Sequence, residues 1–177
     1  TGALPEMHVS KSCARVIDFN GDGHLDVFVG GRVIPGLYPE SPKSYLLIND
    51  GKGHFTDQLS RICPELNQGG MITDAAWIDL NGDKKPDLVT VGEWMPVNAF
   101  INTSGKLVNK TKSYFDKEYS GWWNKLQVGD FNGDGKPDLI AGNLGLNSQC
   151  KVSDKEPAEM YYKDFDDNGA IDPVLSF

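Results

Sequence analysis

The chain has 177 residues, 39% of them hydrophobic, and 17 Lys and Arg against 25 Asp and Glu give it a formal charge of −8 at pH 7. That balance opposes a polyanionic partner such as DNA or RNA, and no run of about 20 apolar residues is present to cross a bilayer as a helix. Three cysteines, Cys13, Cys63 and Cys150, cannot all be paired and lack C-x-x-C spacing, which leaves either one disulfide or free buried thiols.

In chain order, the apolar run 14–17 leads into Asp18-Phe19-Asn20-Gly21-Asp22-Gly23-His24-Leu25-Asp26, and residues 25–29 follow as a short β-branched strand expected to end at Gly30. Residues 46–56 then read as strand, glycine-containing turn and strand. The order repeats. Residues 75–78 approach the loop Asp79-Leu80-Asn81-Gly82-Asp83-Lys84-Lys85-Pro86-Asp87, a strand runs to 91 before Gly92, and residues 99–108 form the matching hairpin. Residues 126–129 approach a third loop, Asp130-Phe131-Asn132-Gly133-Asp134-Gly135-Lys136-Pro137-Asp138, with a strand to 141 before Gly142. The loops begin about 60, 50 and 35 residues apart. The last interval is short, so residues 151–159 are either an irregular connection or a degenerate outer hairpin before Asp164-Phe165-Asp166-Asp167-Asn168-Gly169-Ala170-Ile171-Asp172.

All four loops fit D-x-[DN]-x-[DN]-G-x-x-D or depart from it at one place. A hard cation such as Ca²⁺ takes six to eight oxygens, and a tightly wound loop supplies them from alternate positions. Place 1 is Asp18, Asp79, Asp130 or Asp164; place 3 is Asn20, Asn81, Asn132 or Asp166; place 5 is Asp22, Asp83, Asp134 or Asn168. The carbonyl at place 7 belongs to His24, Lys85, Lys136 or Ala170, and the carboxylate at place 9 to Asp26, Asp87, Asp138 or Asp172. Up to four Ca²⁺ ions are expected. Glycine at place 6 permits the positive φ of the sharp turn; Lys84 replaces it in the second loop, which is expected to bind most weakly. An EF-hand would need Glu at place 12 and flanking helices. Place 12 is Val29, Thr90, Ala141 or Leu175, and the flanks read as strands. Asn-Gly and Asp-Gly are also good hairpin turns without metal, but four copies with carboxylates at places 1 and 9 favour the cation. Twelve loop aspartates make up about half of the acidic residues, and four Ca²⁺ would bring the formal charge to zero.

Strand, loop, strand, variable loop, strand, turn, strand is a four-stranded antiparallel unit, and its repetition reads as all-β propeller blades. The repeated D-F-N-G-D-G-x-x-D-L and the L-I-N-D-G-x-G-x-F of residues 47–55 resemble the FG-GAP or VCBS repeat family of calcium-loop β-propellers, related to the integrin α-subunit head. Trp94 in 92–96, the stretch 121–124 and the stretch 142–147 are similar to large bacterial envelope proteins that resemble cartilage acidic protein. The resemblance implies a secreted or envelope-associated binding or adhesion module with a protein or glycan ligand and no catalysis of its own. The alternative it implies is a carbohydrate-binding propeller of a glycan-processing enzyme such as a polysaccharide lyase; a third reading is a structural spacer. Calcium at the millimolar level that weak loops need is found outside cells. Residues 1–177 supply about three blades, fewer than a ring needs. The chain is therefore expected to be part of a larger, seven-bladed-type propeller whose open edges invite self-association.

No G-x-S-x-G, H-E-x-x-H, P-loop or G-x-G-x-x-G occurs. His8, His24 and His54 are scattered, and carboxylates that hold a cation are poor proton carriers. Trp94, Trp122 and Trp123, with Tyr38 and Tyr45, are a candidate platform for sugar rings. Neighbouring Trp122 and Trp123 point to opposite faces of a strand, so one or both are also read as packing between blades. Asn102-Thr103-Ser104 and Asn109-Lys110-Thr111 match the glycosylation sequon.

Overall fold

The computed structural model describes residues 2–145, 148–153 and 155–177. Strands β1 (Ser10–Ile17), β2 (Asp26–Val33), β3 (Tyr45–Asn49) and β4 (Phe55–Asp57) form an antiparallel meander in that order. A short helix α1 (Leu59–Ile62) and a 3-10 turn (Pro64–Gln68) lead to a second meander, β5 (Met71–Ile78), β6 (Asp87–Pro96), β7 (Asn98–Thr103) and β8 (Lys106–Asn109). After α2 (Thr111–Tyr114), β9 (Ser120–Gly129) and β10 (Asp138–Asn143) form a third hairpin, and β11 (Glu159–Lys163) pairs with β12 (Asp172–Ser176) in a two-stranded sheet. The chain is all-β with antiparallel pairing throughout. Each of the four loops joins the first strand of a unit to the second.

The period-2 alternation of the strands sets the packing. On the first sheet Phe28 and Leu46 face one way, toward Ile72, Ala75, Leu88, Phe100 and Leu107 of the second; Val29, Tyr45 and Leu47 face the other way, against Met7 and Val9. Strand β6 repeats this: Leu88 belongs to the layer shared with the first sheet, and Val89 and Val91 to a layer shared with Leu126, Val128 and Leu139 of β9 and β10. Successive units therefore stack face on face along the chain. Leu59, Ile62 and Leu66, carried by α1 and the 3-10 turn, close the edge of the first layer.

Of the two forms expected for the short last interval, the structure has the irregular connection: the third unit is a hairpin, and among the described residues no strand lies between Asn143 and Glu159. The part of the 142–147 stretch at Leu146 and Asn147, and Asp154 within 151–159, lie outside the described residues. In addition, Gly30, Gly92 and Gly142 do not end strands, since β2 continues to Val33, β6 to Pro96 and β10 to Asn143. At two of them the glycine serves close packing, against side chains at Gly30 and against backbone at Gly92. A Cβ on Gly30 would lie 2.9 Å from both Cys13 Sγ and Ile72 Cγ2, and one on Gly92 would collide with the carbonyl of Met71. Beyond Gly92, β6 breaks register between Glu93 and Met95 and pairs its end with β9, Glu93 opposite Trp122 and Pro96 opposite Ser120. That bulge fuses the second meander and the third hairpin into one six-stranded sheet.

Candidate metal centres and aromatic site

The four loops share one hydrogen-bond plan. The place-1 carboxylate accepts from the N–H of place 6 in all four loops and of place 4 in the first three: Gly21 and Gly23 donate to Asp18 at 2.8 and 2.9 Å, and Gly82 and Lys84 to Asp79 at 2.7 and 2.8 Å. Gly133 and Gly135 donate to Asp130 at 2.7 and 2.9 Å, and Gly169 to Asp164 at 2.7 Å. Place 3 accepts from the N–H of place 5, and place 5 from that of place 7, as where Asp22 donates to Asn20 Oδ1 at 2.9 Å and His24 to Asp22 Oδ1 at 2.8 Å. The place-7 residues Lys85, Lys136 and Ala170 donate likewise to Asp83, Asp134 and Asn168. Alternate side chains are thereby turned inward over a tight coil of backbone.

Place 9 is built differently. Asp26 and Asp87 are fully buried at the base of their loops. One oxygen of Asp26 accepts from Phe19 N at 3.0 Å and the other from Asn49 N at 2.9 Å; Asp87 accepts from Leu80 N at 2.9 Å and Asn102 N at 2.7 Å. Asp138 and Asp172 accept the first of these bonds, from Phe131 N and Phe165 N, and among the described residues no counterpart of the second is found. Burial raises the carboxyls of Asp26 and Asp87 above their ordinary range, against the lowering effect of those N–H groups. By contrast, the His24, Lys85 and Gly135 amides hold Asp22, Asp83 and Asp130 below it.

The donor set suits a hard cation. An ionised carboxylate offers about four lone-pair positions, so an oxygen that accepts one N–H keeps another for a metal. In the fourth loop, oxygens of Asp164, Asp166 and Asp172 lie within 4.8 Å of one another, a spacing that a shared cation would relieve of mutual repulsion. Two positions per loop, not one, take left-handed backbone. Place 4 has φ 75, 79, 78 and 56° at Gly21, Gly82, Gly133 and Asp167, and place 6 has 86, 64, 82 and 86° at Gly23, Lys84, Gly135 and Gly169. Sequence reasoning identified only the second of these positions.

The aromatic candidates divide. Trp94 and Trp122 pack together, ring centroids 5.4 Å apart and tilted by 50°, and the Trp94 indole N–H donates to the Tyr38 hydroxyl at 2.9 Å. Trp94 sits at φ 57° in the β6 bulge, rare for so large a side chain. The pair lines a cavity of about 740 Å³ with Gly121, Asn143 and Leu144. Trp94 lies at the C-terminal end of β6, and the loops enter β2, β6, β10 and β12 at their N-terminal ends, so pair and loops occupy opposite ends of the strands. Trp123 faces the other way, against the Val89 and Val91 layer, and donates to Tyr119 O. Tyr45 is buried in the outer layer of the first sheet. Of the two sequons, Asn102 is buried and Asn109 exposed.

The sequence reading passed over Asp74. Fully buried on β5, it pairs with Arg15 of β1 and, at 3.4 Å, with Lys125 of β9, and accepts from Leu126 N at 3.1 Å. A charged residue within a mostly apolar strand, Met71 to Ile78, was its only signal. All three cysteines are free, with Cys13 and Cys63 in one core layer.

No helix among the described residues is long and apolar enough to cross a membrane. A sequence-family profile, FG-GAP-like repeat, matches residues 18–90 and again residues 79–141, each match running from the start of one loop into the strand beyond the next. No curated protein matches the chain significantly.

Proposed function

The chain belongs to the FG-GAP-like repeat family, and from that premise we propose that it is a calcium-stabilised part of a β-propeller, acting as a secreted or envelope-associated binding module without chemistry of its own. The observation that carries the reading is the common plan of the four loops, with the Asp164, Asp166 and Asp172 carboxylates gathered within 4.8 Å. Residues at places 1, 3, 5 and 9 would hold the ion, with the place-7 carbonyl. When bound, Ca²⁺ supplies positive charge that offsets carboxylate repulsion and ties the two strands of each hairpin together. The buried Asp26 and Asp87 have most to gain, because burial disfavours their anions. The ligand is a protein or a glycan, and the open edges left by the hairpin units suit further units or a second copy.

Calorimetric titration of the chelated chain with Ca²⁺, beside thermal melts in EGTA and in calcium, tests this. Uptake of several ions and a melting temperature that climbs with free calcium are expected by mass action. Identical melts with no metal found by elemental analysis would overturn the reading.

A second reading, a carbohydrate-binding site, draws support from the Trp94 and Trp122 pair that lines the cavity. Trp122→Ala should then abolish retention on the cognate polysaccharide and leave calcium uptake intact. Retention unaffected by the substitution would remove it.

A further inference from the structure

The cavity beside Trp94 and Trp122 is built by two breaks in one sheet. Strand β9 lies between β6 and β10, and each neighbour loses register on reaching the cavity, β6 between Glu93 and Met95 and β10 between Gly142 and Asn143. Bulges re-aim side chains. These two bring Trp94 and Asn143 onto the start of β9: Trp94 packs on Trp122, and Asn143 Nδ2 lies over Gly121, 2.4 Å from where a Cβ would stand. Trp94 keeps left-handed backbone at φ 57°, which a bulky residue does only where its surroundings impose it, and such outliers gather at ligand sites.

We propose that this cavity docks a proline-rich segment of a partner protein in the polyproline II conformation. That occupant differs from the glycan of the second reading, and it presupposes the binding module proposed above.

The polar groups select it first. The Trp94 indole N–H is taken by the Tyr38 hydroxyl, and Asn143 Oδ1 accepts from Gly145 N at 2.8 Å. The Trp122 indole N–H and the Asn143 Nδ2 protons meet no acceptor among the described residues. Two open donors therefore flank the rings. A proline tract presents carbonyl acceptors and no N–H, so it satisfies them without bringing a donor of its own to be paired; every sugar hydroxyl brings one. Backbone pairing comes second. At Trp122, β9 is bonded to β6 on one side and, through Leu144 N at 2.9 Å, to the residue after β10 on the other. No strand edge is open there for an added strand, and side chains must hold the peptide, as aromatic grooves hold the preformed polyproline helix. Third, the two rings are tilted by 50° and form no flat shelf for successive sugar rings. Of the charged residues on the lining, Lys117 has its ammonium over the Tyr119 ring and Glu118 is exposed, which suits a neutral or basic segment and opposes an acidic one.

NMR titration of the isotope-labelled chain with a blocked peptide of about ten prolines tests this. Saturable binding is expected, with the Trp122 indole N–H and the Asn143 side-chain amide moving downfield and the Trp94 indole N–H, which keeps Tyr38, moving less. Asn143→Asp retains the acceptor for Gly145 and removes the donor, and Trp122→Phe retains a ring and removes the N–H. Each should weaken binding roughly tenfold at an unchanged melting temperature. Gly121→Ala, which pushes the amide end aside, should weaken it too. A Trp122 indole signal that the proline peptide leaves unmoved, or full affinity in both Asn143→Asp and Trp122→Phe, would overturn the proposal. Cellohexaose added to the same sample then separates the readings. If the sugar moves the Trp122 signals and the peptide does not, the proline segment is refuted and the binding module stands with a glycan ligand; if neither moves them, the cavity is refuted as a site for both.

Discussion

Lys84 and Asp167 occupy left-handed backbone inside the loops without being glycine, at φ 64 and 56°. A side chain there costs on the order of 1 kcal/mol relative to glycine. Lys84→Gly should therefore raise stability by about 1 kcal/mol and tighten the second loop by up to about tenfold, with Gly135→Lys acting in reverse on the third. Asp167→Gly should gain less, because aspartate visits this region more readily. Calcium titration resolved by loop checks the order, and an unaltered second-loop affinity in Lys84→Gly would refute it. Cysteine behaviour is also set at single residues. Burial raises the thiols of both Cys13 and Cys63, the latter to about 11. At neutral pH both stay protonated, so alkylation should be negligible in the folded chain and complete in urea. Rapid labelling of Cys63 without denaturant would contradict this.

At the scale of elements, Gly92→Ala should destabilise by about 1–3 kcal/mol, as overpacking does, because the new methyl would meet the Met71 carbonyl rather than a movable side-chain end. A urea midpoint equal to that of the parent chain would show that β5 and β6 can part there. The same glycine marks where sequence reading stopped short. The inner strands were legible because β-branched runs alternate beside a loop motif with its own spacing. Their ends were not, since Gly30, Gly92 and Gly142 look like turn residues in one dimension, and the contacts at Gly30 and Gly92 come from Ile72 and Met71, remote in sequence from the first and about 20 residues from the second. The short α1 and α2 lack side-chain caps and carried no helical period to detect. The loops of 18–26, 79–87, 130–138 and 164–172 fall between paired strands as the motif spacing implied, yet the second left-handed position at place 4 was hidden because glycine there reads as ordinary turn chemistry. Trp94 and Trp122 stand apart by 28 positions, and only the β6 bulge and its pairing with β9 unite them.

For the whole molecule, the stacked sheets are joined by charged contacts as well as by apolar layers. Arg32 grips Glu93 through both guanidinium ends, and Arg15 and Lys125 meet on Asp74. Asp74→Ala should cost about 3 kcal/mol or more, since it strands the Leu126 N–H and frees a half-buried arginine of its partner. Asp74→Asn should recover part of that, and equal denaturation midpoints for parent and alanine variant would disprove the assignment. In an array whose units touch neighbours alone, damage to the first unit reaches the third only through the second unit's own stability. Here the side chain of Asp74 is gripped from both sides at once. Arg15→Ala and Lys125→Ala should accordingly be non-additive in a double-mutant cycle, as if two bolts shared one nut: loosening the first strand of the chain slackens the ninth, although the two do not pair in any sheet.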